Sequence, residues 1–213
     1  MIDMERLSPV IFPREAMQVE TQNHWRVIME YESEGPGPWV IDLSHRPRWD
    51  VQGSRLSDIK PLGLDIPETP GQCRFEKGAL VNRMNRTQAS VWQIAGASAE
   101  MPAETAFTET TDATLFLALV GREVFSIAEK LSAIDFLDPS LAAPALIQAP
   151  FSHVPCQIVL AEKAGNMPGI LLTCSRGYAG DMVAAIMHAG REFSLKPAGS
   201  NAFENWVDTT LQP

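Results

Sequence analysis

Long apolar runs are missing from this sequence. None is longer than that at Leu115 to Val120, which falls far short of the roughly 20 residues that carry a helix across a bilayer, so no membrane span is predicted. The N-terminus, MIDMERLSPV, has no basic segment leading into an apolar core, which argues against a secretory signal. Positive charge is scarce as well: 17 Lys and Arg stand against 26 Asp and Glu, for a formal net charge of -9. Non-specific nucleic-acid affinity rests on clustered cations, so nucleic acid is a poor partner. Cysteine is limited to Cys73, Cys156 and Cys174. An odd number of widely spaced thiols suits a reducing cytoplasm better than a disulfide framework.

Self-sufficient chemistry is thin too. The histidines, His24, His45, His153 and His188, show no His-x-x-x-His spacing, and no Cys-x-x-Cys is present to hold zinc, so no metal is expected. No Gly-x-Ser-x-Gly elbow occurs. Cys156 and Cys174 sit inside apolar strand patterns, where cysteine behaves as a small buried hydrophobe. Ser175 to Gly180 lacks the spacing of a phosphate-binding loop and reads first as a capped helix start. Trp49 and Trp92 have faces suited to a heterocycle, but strand tryptophans belong more often to a core.

What is present is enough for a core: 213 residues, 45% of them hydrophobic, fit one large domain or two small ones. Trp25 to Tyr31 and Arg48 to Gln52 alternate with the period of a half-buried strand. Ser54 is placed to cap a short helix holding Leu56 and Ile59. Prolines 61, 67 and 70 forbid long regular structure up to Gly78, and strands resume at Ala79 to Met84 and Ser90 to Ile94. Residues 97 to 113 show no period, which predicts a joint, with a linker at 101–113 between halves 1–100 and 114–213. The second half reads as a strand at Leu115 to Val120, a helix with Val124, Ala128 and Leu131 on one stripe, strands at Gln157 to Ala161 and Ile170 to Thr173, and a helix ending at Gly190. The class is α+β: two similar halves of mainly antiparallel sheet with helices on one face, the second half ferredoxin-like.

The halves also look alike in sequence. Trp39 to Gly53 and Thr114 to Gly121 each carry an apolar strand closed by Val-x-Gly or Val-Gly and followed by a short helical pattern. Gly53 and Gly121 lie 68 residues apart.

Ile41-Asp42-Leu43-Ser44-His45, the strand ending at Gly53, Val120-Gly121 with its helix, Arg191 to Gly199 and Ser200 to Glu204 together resemble the folate-binding domain of the glycine cleavage aminomethyltransferase superfamily. The match runs over roughly residues 25 to 206. It implies that family's α+β fold without its C-terminal barrel domain. In length the chain is more similar to the gamma subunit of heterotetrameric sarcosine oxidase, a small member of that superfamily. The family uses tetrahydrofolate and two carboxylates. Where the first acid belongs, this sequence reads Gly78-Ala79-Leu80-Val81-Asn82-Arg83. Where the second belongs, it reads Ala161 to Gly169, with Glu162 as the nearest carboxylate. The resemblance therefore implies a non-catalytic component beside larger oxidase or transferase subunits, with any flavin in a partner. The alternative is a tetrahydrofolate-binding transferase module using another acid, such as Asp42 or Asp65; a scaffold without ligand is a third reading. Asn82, Arg83, Trp92, Glu162, Arg176 and Tyr178 are the ligand-cleft candidates, and none is assigned a catalytic role.

Overall fold

The computed structural model describes residues 5–96, 99–100 and 105–211. Alternation makes its first hairpin. In Trp25–Tyr31 (β2) the residues Trp25, Val27, Met29 and Tyr31 are buried while Arg26 and Glu30 are exposed, as a strand covered on one face requires. Its partner Ala16–Gln22 (β1) pairs antiparallel and is exposed throughout its centre, so it carried no hydrophobic signal in the sequence.

The remaining strands form two sheets built on one plan. Trp39–Asp42 (β3) leads into Arg48–Gln52 (β4), which is followed by a 3-10 turn at Leu56–Asp58 and by Cys73–Glu76 (β5), Ala79–Arg83 (β6) and Gln88–Gln93 (β7). Phe107–Glu109 (β8) leads into Thr114–Val120 (β9), which is followed by the helix Val124–Ala128 (α1) and by Ala145–Phe151 (β10), Val154–Glu162 (β11) and Gly169–Ser175 (β12). In each half the last strand of the three-stranded meander returns to pair with the strand before the helical turn. The orders are β5-β6-β7-β4-β8 and β10-β11-β12-β9-β3, with Lys196–Ala198 (β13) added beside β3. Apart from the parallel pair β13 and β3, the ladders are antiparallel.

The two lead strands are exchanged. β3 of the first half pairs with β9 of the second, while β8 of the second half pairs with β4 of the first. Trp39 and Phe107, which open these lead strands, are separated by the same 68 residues as Gly53 and Gly121. The repeated sequence pattern therefore marks a repeated topology. The sheets, however, do not divide simply at residues 101–113: that segment supplies β8 to the five-stranded sheet, and β3 crosses into the six-stranded one.

Three layers result. The outer face of the six-stranded sheet packs Leu117, Leu119, Ile158 and Leu172 under α1 and Ala179–Ala189 (α2), whose Met182 and Ile186 are fully buried. The inner face sets Phe116, Val120, Val159 and Leu171 against Leu80, Trp92 and Ile94 of the five-stranded sheet. The far side of that second sheet buries Trp49, Val51 and Val91 beneath Leu56, Leu64 and Ile66. β9 is covered on both faces, which explains its unbroken apolar run; each such side chain contributes roughly 1.5–3 kcal/mol when fully buried. The helix Ser200–Trp206 (α3) closes one side of the inter-sheet layer through Phe203 and Trp206. Gly121 has φ +127°, and a Cβ there would stand 2.8 Å from Pro38 Cα, so the β9-to-α1 bend requires glycine.

Several local expectations are corrected. The unpatterned segment before Thr114 contains β8, whose Phe107 is buried against β4; residues 97–98 and 101–104 of the expected joint lie outside the described residues. β5 forms despite the surrounding prolines, and β10, which is punctuated by Pro150, escaped notice for the same reason. Ser54 caps nothing, since Arg55 precedes the 3-10 turn, and Ser175 precedes a 3-10 turn at Arg176–Tyr178 without a side-chain capping bond.

Candidate functional site

Register brings a polar row onto the inner face of the six-stranded sheet. Gln148 lies opposite Gln157, and Gln157 lies opposite Thr173. On the facing sheet Asn82 lies opposite Ser90. The two sets meet: Asn82 Nδ2 donates to Ser90 Oγ at 3.3 Å, and Ser90 Oγ donates to Gln157 Oε1 at 2.9 Å. Gln148 Nε2 donates to the Met84 carbonyl at 2.8 Å. Asn82 Oδ1 is buried without a partner, an acceptor left to be satisfied. Beside this network opens a cavity of about 430 Å³, with Met84, Thr114, Gln148, Gln157, Thr173 and Ser175 in its wall. No acidic side chain lines it. Amides and hydroxyls can hydrogen-bond a ligand there, but they supply no ordinary proton donor or acceptor for acid–base work.

The other candidates do not converge on this cavity. The Arg83 guanidinium turns back to donate to the Arg86 carbonyl at 2.9 Å. Trp92 is 2% exposed and meets Phe116 edge-on, with centroids 5.2 Å apart. Glu162 lies five residues beyond Gln157 along β11, about 16 Å at strand rise. Its Oε1 accepts the backbone N–H groups of Lys163 and Ala164 at 2.8 and 2.6 Å, so the carboxylate holds its own turn. Arg176 Nη2 donates to the Leu7 carbonyl at 2.7 Å and fastens the N-terminal segment. Tyr178 is about half exposed on the turn before α2. Asp65 is exposed and paired with Lys60 at 2.9 Å, which holds its carboxyl below the usual range. These positions do not fit a folate head group held by two acids, because the first acid is an amide and the nearest second acid is remote and already bonded.

Asp42 sits in a different place. It lines a cavity of about 310 Å³ with Ser8, Trp25, Ile28, Tyr31 and His45. Burial pushes the Asp42 carboxyl up, against the hydrogen bonds from Ser8 and Ser44 and the charge of Arg48; the Ser44 N–H donates to Oδ1 at 2.9 Å. Burial, with Arg46 and Arg48 nearby, pushes His45 down to about 3, so its imidazole is neutral near pH 7. His45 Nε2 has no hydrogen-bond partner. Tyr31 is raised, chiefly by burial. The sequence signal for this cluster was the Asp-x-Ser-His run itself, which places Asp42 and His45 three residues apart across the end of β3. Apart from that run, His45 is a lone histidine with no ligand spacing to mark it.

No protein-family model matches the sequence, and no curated protein matches it. Solved structures do. A chain of the heterotetrameric sarcosine oxidase from Corynebacterium sp. U-96, in complex with pyrrole 2-carboxylate, aligns with a TM-score of 0.60 and 11% identity over 73% of this chain and 84% of that one. The glycine cleavage system aminomethyltransferase T from Bartonella henselae aligns with a TM-score of 0.63 and 13% identity over 87% of this chain. The matched part is 56% of that protein, so the chain spans just over half its length. At such identities the likeness concerns the fold: this chain has the aminomethyltransferase-like α+β fold.

Proposed function

We propose that this protein is a non-catalytic component of a larger flavin- or folate-dependent one-carbon complex, similar in role to the sarcosine oxidase gamma subunit. One observation carries the reading: Asn82, an amide where the resembled family places its first acid, is buried against Ser90, and the cavity of about 430 Å³ beside that network has no carboxylate in its wall. The fold is kept and the acid chemistry is not. Larger oxidase or transferase subunits are the partners, with the flavin in one of them, and the cytoplasm is the compartment. Native purification tests this. Co-elution with larger subunits showing flavin absorbance is expected, and a lone chain free of both would overturn it.

Asp42 favours a second reading, a tetrahydrofolate-binding transferase module that has moved its acid to the other cavity. Micromolar binding of reduced folate, weakened by Asp42→Asn, is what that reading requires; absence of binding removes it.

A further inference from the structure

Cys156 and Cys174 are the thiols that neither reading uses. The β11–β12 ladder runs antiparallel through Gln157 and Thr173, and one step further Cys156 stands across from Cys174. Both side chains point to the helix-covered face, within the cluster that holds Leu115, Phe151 and Ile158. Directly opposed residues of an antiparallel pair have Cα atoms roughly 4.5–5.5 Å apart, inside the roughly 4.4–6.8 Å range that a disulfide spans. The thiols are free, Cys156 Sγ lying 3.3 Å from the Val154 carbonyl oxygen and Cys174 Sγ 3.6 Å from that of Ser175, and each shifts the other's titration. Both residues also border the cavity of about 430 Å³ that opens beside Gln157 and Thr173, and they keep 6% and 4% exposure, which gives a small oxidant a short path.

We propose that Cys156 and Cys174 form a redox-active dithiol, closed by a hydroperoxide into a cross-strand disulfide. The Cys174 thiolate attacks the peroxide oxygen, giving a sulfenic acid and releasing the alcohol or water. The Cys156 sulfur then attacks that sulfenic sulfur, and the hydroxyl leaves as water. Two thiols and one peroxide become one disulfide, one alcohol or water, and one water, a two-electron oxidation. The order of attack follows from the opposite shifts of the pair: the neighbouring Cys156 holds Cys174 below the ordinary thiol range, while Cys156 itself is raised. Cys73 lies on β5 of the other sheet and takes no part.

The test treats the purified native chain with hydrogen peroxide, unfolds it in an alkylating agent and maps the peptides. Loss of two hydrogens is expected, with the Cys156 and Cys174 peptides linked and Cys73 alkylated. Dithiothreitol should reverse the linkage. The oxidised chain should melt about 5 °C higher, because a loop of this length is closed in the unfolded state. Full alkylation of both thiols after peroxide, separate sulfinic acids, or a bond to Cys73 would each overturn the proposal. The result on the unsubstituted chain decides the matter, and Cys174→Ser, checked by circular dichroism, should abolish the linkage.

Discussion

Arg48 is joined to Thr111 twice, through its backbone and through its side chain. The Arg48 backbone N–H donates to Thr111 Oγ1 at 3.0 Å, and the Arg48 guanidinium donates to the Thr111 carbonyl at 2.8 Å. The same guanidinium reaches the Arg46 carbonyl at 2.6 Å and the Thr114 carbonyl at 3.0 Å, with Phe116 beneath it at 4.9 Å. Arg46 lies on the connection from β3 to β4, and Thr111 on the connection from β8 to β9. One side chain, 1% exposed, thus ties together the two crossovers at which the halves exchange strands.

Removing that clasp leaves several buried carbonyls unpaired. Arg48→Met is expected to cost about 3–5 kcal/mol, lowering the melting temperature by about 10 °C or more. Arg48→Lys restores the charge but not the planar fork of donors, and should recover less than half of the loss. Thermal unfolding followed by circular dichroism measures both; a Lys variant as stable as the parent would refute the clasp.

His45 makes the fold sensitive to acid. Its folded pKa, about 3, lies below the ordinary 6.5, so the unfolded chain binds the extra proton between those values. Stability from this group is complete above about pH 6.5 and is lost as pH falls toward 3, by up to about 1.4 kcal/mol per unit. Urea midpoints at pH 4.5 and 7.5 should differ more for the parent than for His45→Asn.

Asp42, in the same cavity, acts with the opposite sign. Its carboxyl is raised from 3.8, so the folded state holds the proton longer, and stability falls as pH rises from about 4 through the folded pKa. Asp42→Asn should therefore gain on the parent as pH rises across that window. The measurement is the difference in unfolding free energy between the two proteins, taken at half-unit steps.

The repeat was legible because its markers are backbone requirements. Gly121 bends where no Cβ fits, and β9, buried on both sides, writes its burial directly into sequence. β1, β5, β8 and β10 were hidden for the converse reason: they are short, edge-placed or exposed, and the partner of β8, β4, lies far along the chain. The exchange of β3 and β8 was invisible too, since both strands look the same whichever half they join. Of the site, Asn82 was found through the family pattern alone. It bonds Ser90 within its own sheet, and the link from Ser90 to Gln157 depends on two sheets meeting, which no local period encodes.

Gly169 is held by the C-terminal helix. A Cβ at this position would come within 2.5 Å of the Trp206 ring, whose Nε1 donates to the Met167 carbonyl at 2.9 Å. Gly169→Ala should displace the indole, costing about 1–3 kcal/mol as an overpacked contact. Tryptophan emission should shift to the red and α3 amides should exchange faster with deuterium; unchanged spectra would show that the ring is not fixed there.

Asn82→Asp restores the acid that the family pattern carries and tests what its loss means. The amide now donates to Ser90 Oγ, and Ser90 in turn donates to Gln157; a carboxylate at position 82 removes the first donor and places charge in a fully buried site. Destabilisation of about 2–4 kcal/mol at pH 7.5 is expected. The buried acid will titrate above its ordinary range, so the penalty should shrink at pH 4.5, where the neutral form is available. Restoring one acid should not create folate affinity, since Glu162 lies about 16 Å along β11 from the level of Gln157 and is bonded within its own turn. Equilibrium binding of reduced folate should be the same for the variant and the parent. A tenfold gain would mean that the cavity beside this network still receives the cofactor and that a single side chain separates scaffold from enzyme.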